Sequence, residues 1–102
     1  MDDWPPPHLR ARAAVWAAER HMREGAYAAA AAALERGFEA GGELVRGLHH
    51  LAAAGCRAQE GDGVRARRQL ERARARLQPF LPEAEEVDLR ELVALVEREV
   101  GS

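Results

Sequence analysis

Gly25-Ala26-Tyr27, then six consecutive alanines from Ala28 to Ala33, then Leu34-Glu35-Arg36-Gly37-Phe38: the stretch GAYAAAAAALERGF decides the fold class. Alanine has the highest helix propensity and loses no side-chain entropy, so this segment stays helical without help from its side chains. Its surfaces are methyl groups, which let neighbouring helices approach at the short end of the usual ~8–10 Å range. The stretch therefore reads as a closely surrounded helix, with Tyr27, Leu34 and Phe38 as its larger contacts.

The rest of the chain agrees. Ile, Thr, Asn and Lys are absent, so Val is the only β-branched residue, and Ala, Leu, Glu and Arg dominate. These are helix formers, and the expected fold is all-α: about five helices, two antiparallel hairpins plus a C-terminal helix. At 102 residues there is room for one domain, 1–102. A proline-rich arm, 1–7, precedes it, and a turn at 79–87 precedes the last helix.

Glycine and proline place the helices. The first follows Pro5-Pro6-Pro7, since proline suits a first turn, and runs to about Glu24 with Gly25 as its stop. The second covers about Ala26 to Glu39, ending at Gly41-Gly42. The third covers about Glu43 to Glu60, stopping at Gly61-Asp62-Gly63. The fourth runs from about Val64 to Gln78, where Pro79 forbids continuation. Asp88-Leu89-Arg90-Glu91 reads as a capping box opening a last helix to about Val100. The expected apolar faces are Leu9, Ala13, Trp16 and Ala17 on the first helix and Leu44, Leu48, Leu51, Ala52 and Cys56 on the third. The fourth offers Ala66, Leu70, Ala73 and Leu77 with Phe80 as a plug, and the last Leu89, Leu92, Val93, Val96 and Val100.

EGAYAAAAAALER and EGDGVRARRQLER share Glu-Gly and Leu-Glu-Arg at an offset of 36 residues, an offset kept by Ala17-Ala18 with Ala53-Ala54 and by Ala30 with Ala66. Two readings stand: duplicate hairpins, or chance self-matching of an Ala/Glu/Arg-rich chain.

On these residues, Met22 to Phe80 resembles the prokaryotic domain of unknown function 309. Gly25-x-Tyr27 with Leu34-Glu35 matches its first block, Phe38 standing where that family has Trp. Gly47-Leu48, Leu51-Ala52, Gly61-Asp62, Ala66, Leu70 and Pro79-Phe80 match the second. The resemblance implies a helical bundle in a family whose function is unsettled. The family's His-Glu pair falls on Ala31-Ala32, its Ile-Gln on His49-His50 and its Tyr-His on Cys56-Arg57. The alanine run then marks either an emptied site or a repacked polar clasp. A weaker likeness to tetratricopeptide hairpins extends only to helix stacking.

Chemistry-bearing residues are few. His49 and Cys56 share a helix face but stand about two turns apart, ~10 Å along the axis, too far to hold one ion alone, and no cofactor or metal is expected. The best polar cluster is Tyr27, Glu35 and His50 with His21, a setting for acid–base work if buried together. The competing reading has Glu35 on a surface arginine and His50 at a core edge. Between residues 63 and 78, Arg65, Arg67, Arg68, Arg72, Arg74 and Arg76 oppose only Glu71; Arg65, Arg68, Arg72 and Arg76 form the candidate basic face. Residues 83–99 carry a local charge of −5, from seven carboxylates and two arginines. Folded back antiparallel, they would neutralise the basic helix, and no aromatic is interleaved with its arginines to stack bases.

The lone Cys56 fits a reducing cytoplasm. The acidic, proline-rich MDDWPPPHLR reads as neither signal peptide nor basic targeting arm, no apolar run approaches the ~20 residues of a membrane span, and the net charge is −2. The expected role is a non-catalytic helical interaction or scaffold protein with a protein partner or a second copy. Nucleic-acid binding through the arginine helix and a degenerate small-molecule site at Tyr27, Glu35 and His50 are the alternatives.

Overall fold

The computed structural model describes residues 6–101. The first five residues of the expected proline-rich arm lie outside the described residues. Five helices follow in order: α1 (Pro7–Arg23), α2 (Tyr27–Glu35), α3 (Phe38–Gln59), α4 (Gly63–Leu77) and α5 (Leu89–Gly101). The fold is all-α, as composition demands. Pro7 occupies the first helical position of α1, where its missing N–H costs nothing, and the Pro6 carbonyl takes the amides of Leu9 and Arg10.

The 36-residue offset is written into the backbone. Gly25 and Gly61 both sit at positive φ, +77° and +83°, the left-handed position that ends a helix without a Cβ penalty. The amide of Gly25 donates to Met22 O at 3.0 Å, and that of Gly61 to Ala58 O at 3.0 Å. Ala26 N–H reaches His21 O at 2.8 Å, and Asp62 N–H reaches Arg57 O at 2.9 Å. The same offset relates Glu24 N–H to Arg20 O with Glu60 N–H to Cys56 O, and Ala30 N–H to Ala26 O with Ala66 N–H to Asp62 O. Both are Schellman turns, and α1–α2 and α3–α4 are two hairpins closed by one device.

Three boundaries differ from the sequence expectation. First, α2 ends at Glu35, not Glu39, and Phe38 already belongs to α3. Second, Gly42 does not stop a helix; it kinks α3 at φ +55°, ψ −143°, a conformation essentially restricted to glycine. The kink folds the first turn of α3 back along its own body. Third, the 79–87 turn contains a 3-10 turn (Gln78–Phe80) and a two-residue antiparallel ladder pairing Glu83 with Asp88 and Ala84 with Val87. Its tip, Glu85-Glu86, has φ positive at both residues, the geometry usually given to Asn-Gly. Trp16 Nε1 donates to Glu85 O at 2.8 Å, and Arg12 pairs with the Glu85 carboxylate at 2.9 Å, clasping the tip to α1. Asp88 caps α5 through the Glu91 amide at 3.0 Å, but the Glu91 carboxylate turns to Arg23 of α1 instead of closing the capping box.

One buried cluster draws on all five helices. On α3, α4 and α5 the buried residues follow the expected faces, including Leu48, Leu51, Leu70, Leu77, Leu92 and Val96. The face of α1 does not. Its core side is Ala14, Val15, Ala18 and Met22, while Leu9, Ala13 and Trp16 point outward and Ala17 is half-buried. Both stripes carry apolar residues at helical spacing, and the second is buried although the first has the larger side chains, Leu9 and Trp16; Trp16 is held outward by its bond to the Glu85 carbonyl. Nor is α2 enclosed on all sides. Tyr27, Ala30, Ala33 and Leu34 are buried against α1 and α3, while Ala28 and Ala32 are exposed. The Tyr27 ring lies so close to Gly55 of α3 that a Cβ there would stand 2.4 Å from it.

Candidate functional site

The four polar residues proposed as one pocket are separated. Tyr27 and Glu35 sit at opposite ends of α2, about 12 Å apart along the axis. Tyr27 is 1% exposed, its hydroxyl pushed up from the ordinary tyrosine range by burial, with the Glu99 carboxylate adding to the effect. Glu35 is exposed and accepts from His49 Nε2 at 3.1 Å, so its partner is the neighbour of His50, not His50 itself. His50 is half-buried, its Nδ1 2.7 Å from the Gln69 side-chain oxygen on α4. His21 stays on α1, half-buried. Of the Ala31-Ala32 pair, Ala31 packs against the core and Ala32 faces solvent.

The charged faces also rearrange. The acidic C-terminal segment reaches α4 through Arg74–Glu97, but two more of its carboxylates go to α1, Glu85 to Arg12 and Glu91 to Arg23. On α4, Arg76 pairs with Glu43 of α3 at 3.3 Å and Arg65 with its own cap, Asp62, at 3.5 Å. Arg68 and Arg72 are exposed and make no ion pair among the described residues. Arg74–Glu97 thus ties α5 to α4, while Glu85 and Glu91 neutralise α1 instead.

What the fold assembles instead is a cleft of about 170 Å³ between α3 and α4, lined by Phe38, Arg46, His49, His50 and Arg76. The kink at Gly42 makes it. Eleven residues of straight helix would separate Phe38 from His49 by about 16 Å, yet their rings meet edge to face at 4.9 Å. The Arg46 guanidinium lies over the Phe38 ring at 5.5 Å from its centroid. Phe38, expected as a larger contact of the second helix, belongs to α3 and serves here as the wedge that holds Arg46 and His49. The sequence signal was Gly42, read as a stop when it is a fold-back. Elsewhere, α1 and α2 leave a shallow apolar groove of about 390 Å³ lined by Ala13, Ala14, Ala17 and Ala33, with Arg10 and Arg36 at its rim.

His49 and Cys56 do not join a larger ligand set: no group of three or more His, Cys, Asp or Glu in metal-holding geometry occurs among the described residues. The Cys56 thiol is half-buried and pushed up by burial, which lowers its thiolate fraction. No helix among the described residues is long and apolar enough to cross a membrane. No protein-family model, curated protein or solved structure matches the chain.

Proposed function

We propose that the chain is a non-catalytic helical interaction module of the cytoplasm, binding a protein partner on the outer face of α1 and α2. One observation carries this reading: the fold leaves Leu9, Ala13 and Trp16 of one helix exposed beside the alanine groove, while among the described residues α3 and α5 leave no large apolar side chain exposed and α4 leaves only Val64. Methyl-lined walls admit a partner helix at short range. Arg10 and Arg36 on the rim choose the partner. A second copy would bring like charges together, whereas a helix with a small apolar seam flanked by carboxylates is complementary. The order of Gly25-x-Tyr27, Leu34-Glu35, Gly47-Leu48 and Pro79-Phe80 supports placing this module with the prokaryotic domain of unknown function 309, as a divergent form lacking the His-Glu pair.

The test uses two designed helical peptides sharing one Ala/Leu seam, one flanked by Glu and the other by Lys, titrated into the full chain. The expected result is a saturable shift of the Ala13, Ala17 and Ala33 methyl resonances with the Glu peptide alone, lost in a folded Ala17→Glu variant. Equal response to both peptides, or none, would overturn the reading. Nucleic-acid binding by α4 is favoured by a separate observation, the exposed Arg68 and Arg72 without ion pairs. It requires a mobility shift that weakens steeply with salt.

A further inference from the structure

We propose that the cleft between the start of α3 and the end of α4 binds a single phosphate group carried on a small molecule. The two arginines approach from different walls, Arg46 from α3 and Arg76 from α4. His49 and His50 line the same space, each with one ring nitrogen engaged, by Glu35 and by Gln69, and the other uncommitted. Donors converging from both walls suit a tetrahedral oxyanion, with oxygens on every side, better than a planar carboxylate. Arginine is the side chain whose fork matches phosphate oxygens. A volume of about 170 Å³ is several times the ~30 Å³ share of one water, enough for the head group and little of what it is attached to.

The charges around the cleft set its selectivity. Arg46, His49 and His50 of α3 and Arg76 of α4 line it, and Glu35, Gln69 and Glu43 are bonded to His49, His50 and Arg76 respectively. Glu35 and Glu43 stand at its edges, bonded to His49 and Arg76. They repel a continuous polyanion threading past, while a single phosphate can exchange with exposed ion pairs that are individually weak. The two arginines are balanced by the two carboxylates, so a bound phosphate displaces ion pairs already present.

Inorganic phosphate is the probe, titrated into the full chain at low ionic strength and followed by the His49 and His50 ring resonances. One saturable site is expected. Arg46→Gln and Arg76→Gln should each weaken it by roughly tenfold or more, the loss of one charge-assisted hydrogen bond, while melting like the wild type. Arg68→Gln, outside the cleft, should leave it unchanged. A small phosphate monoester should compete for the same site. Non-saturating shifts, or binding indifferent to both arginine substitutions, would overturn the proposal. So would an oligonucleotide that binds more tightly than phosphate and depends on Arg65, Arg68 and Arg72.

Discussion

The two hairpin turns, Glu24-Gly25-Ala26 and Glu60-Gly61-Asp62, have one backbone and two ways of being fastened. Their helix-ending glycines, hydrogen-bond registers and the dihedrals of the next residue coincide: Ala26 at φ −92°, ψ 67° and Asp62 at φ −95°, ψ 79°. After that they diverge. The second turn caps its helix with the Asp62 carboxylate on the Arg65 amide at 3.1 Å. The first has no side-chain cap; it places Tyr27 under α3 against Gly55 instead. A Schellman turn thus needs only the glycine, and what secures it can be burial or a hydrogen bond. The Gln59 amide, donating to Gly25 O at 2.9 Å, ties the end of α3 to the first turn and joins the two hairpins where they are most alike.

The sharpest way to break the comparison is at the burial fastening. Gly55→Ala drives a Cβ into the Tyr27 ring, a rigid, fully enclosed neighbour, and should destabilise the chain by about 3 kcal/mol in urea unfolding. A near-neutral result would mean that the ring is not what holds the first hairpin down. The hydrogen-bonded fastening should be weaker: Asp62→Ala should cost about 1 kcal/mol. Transplanting the cap is smaller again and opposite in sign. Ala26→Asp, on a backbone already shaped for it, offers a carboxylate to the Ala29 amide and should gain about 0.5 kcal/mol.

The last difference is read by pH. Burial raises the Tyr27 hydroxyl above its unfolded value, so the stability it contributes is complete below the unfolded tyrosine range and lost as pH rises through the folded value. Tyr27→Phe should flatten that alkaline limb; since Tyr27 is the chain's only tyrosine, an unchanged limb would assign it to arginine or Cys56 instead.

Much of this was legible from the chain. Composition dictates helices, and Gly25, Gly61 and Pro79 end them where expected because an αL glycine and a missing amide act locally. Gly42 and the face of α1 were not legible, for a different reason. Glycine permits a stop or a fold-back equally, and which occurs depends on Phe38 finding His49 across the bend. On α1, two apolar stripes compete, and the clasp between Trp16 and the Glu85 carbonyl, 69 residues away, helps decide which one faces out. The polar quartet failed for the same cause. The sequence reading set Glu35 with His50, whereas the fold gives it the neighbouring imidazole of His49, a choice made by how α2 and α3 pack. The cleft depends on the kinked α3 and on α4 at once, and no single segment announces it.

The duplication of the hairpin is tested most directly by replacing its two glycines one at a time. Around Gly25 the nearest atom to an added Cβ is 4.0 Å away, and around Gly61 nothing lies within 4 Å. Each alanine variant therefore reports only the left-handed backbone. If the turns are one device used twice, Gly25→Ala and Gly61→Ala should each lose about 1–2 kcal/mol in urea unfolding and agree within about 0.5 kcal/mol. A variant with unchanged stability, or two losses more than about 1 kcal/mol apart, would contradict it.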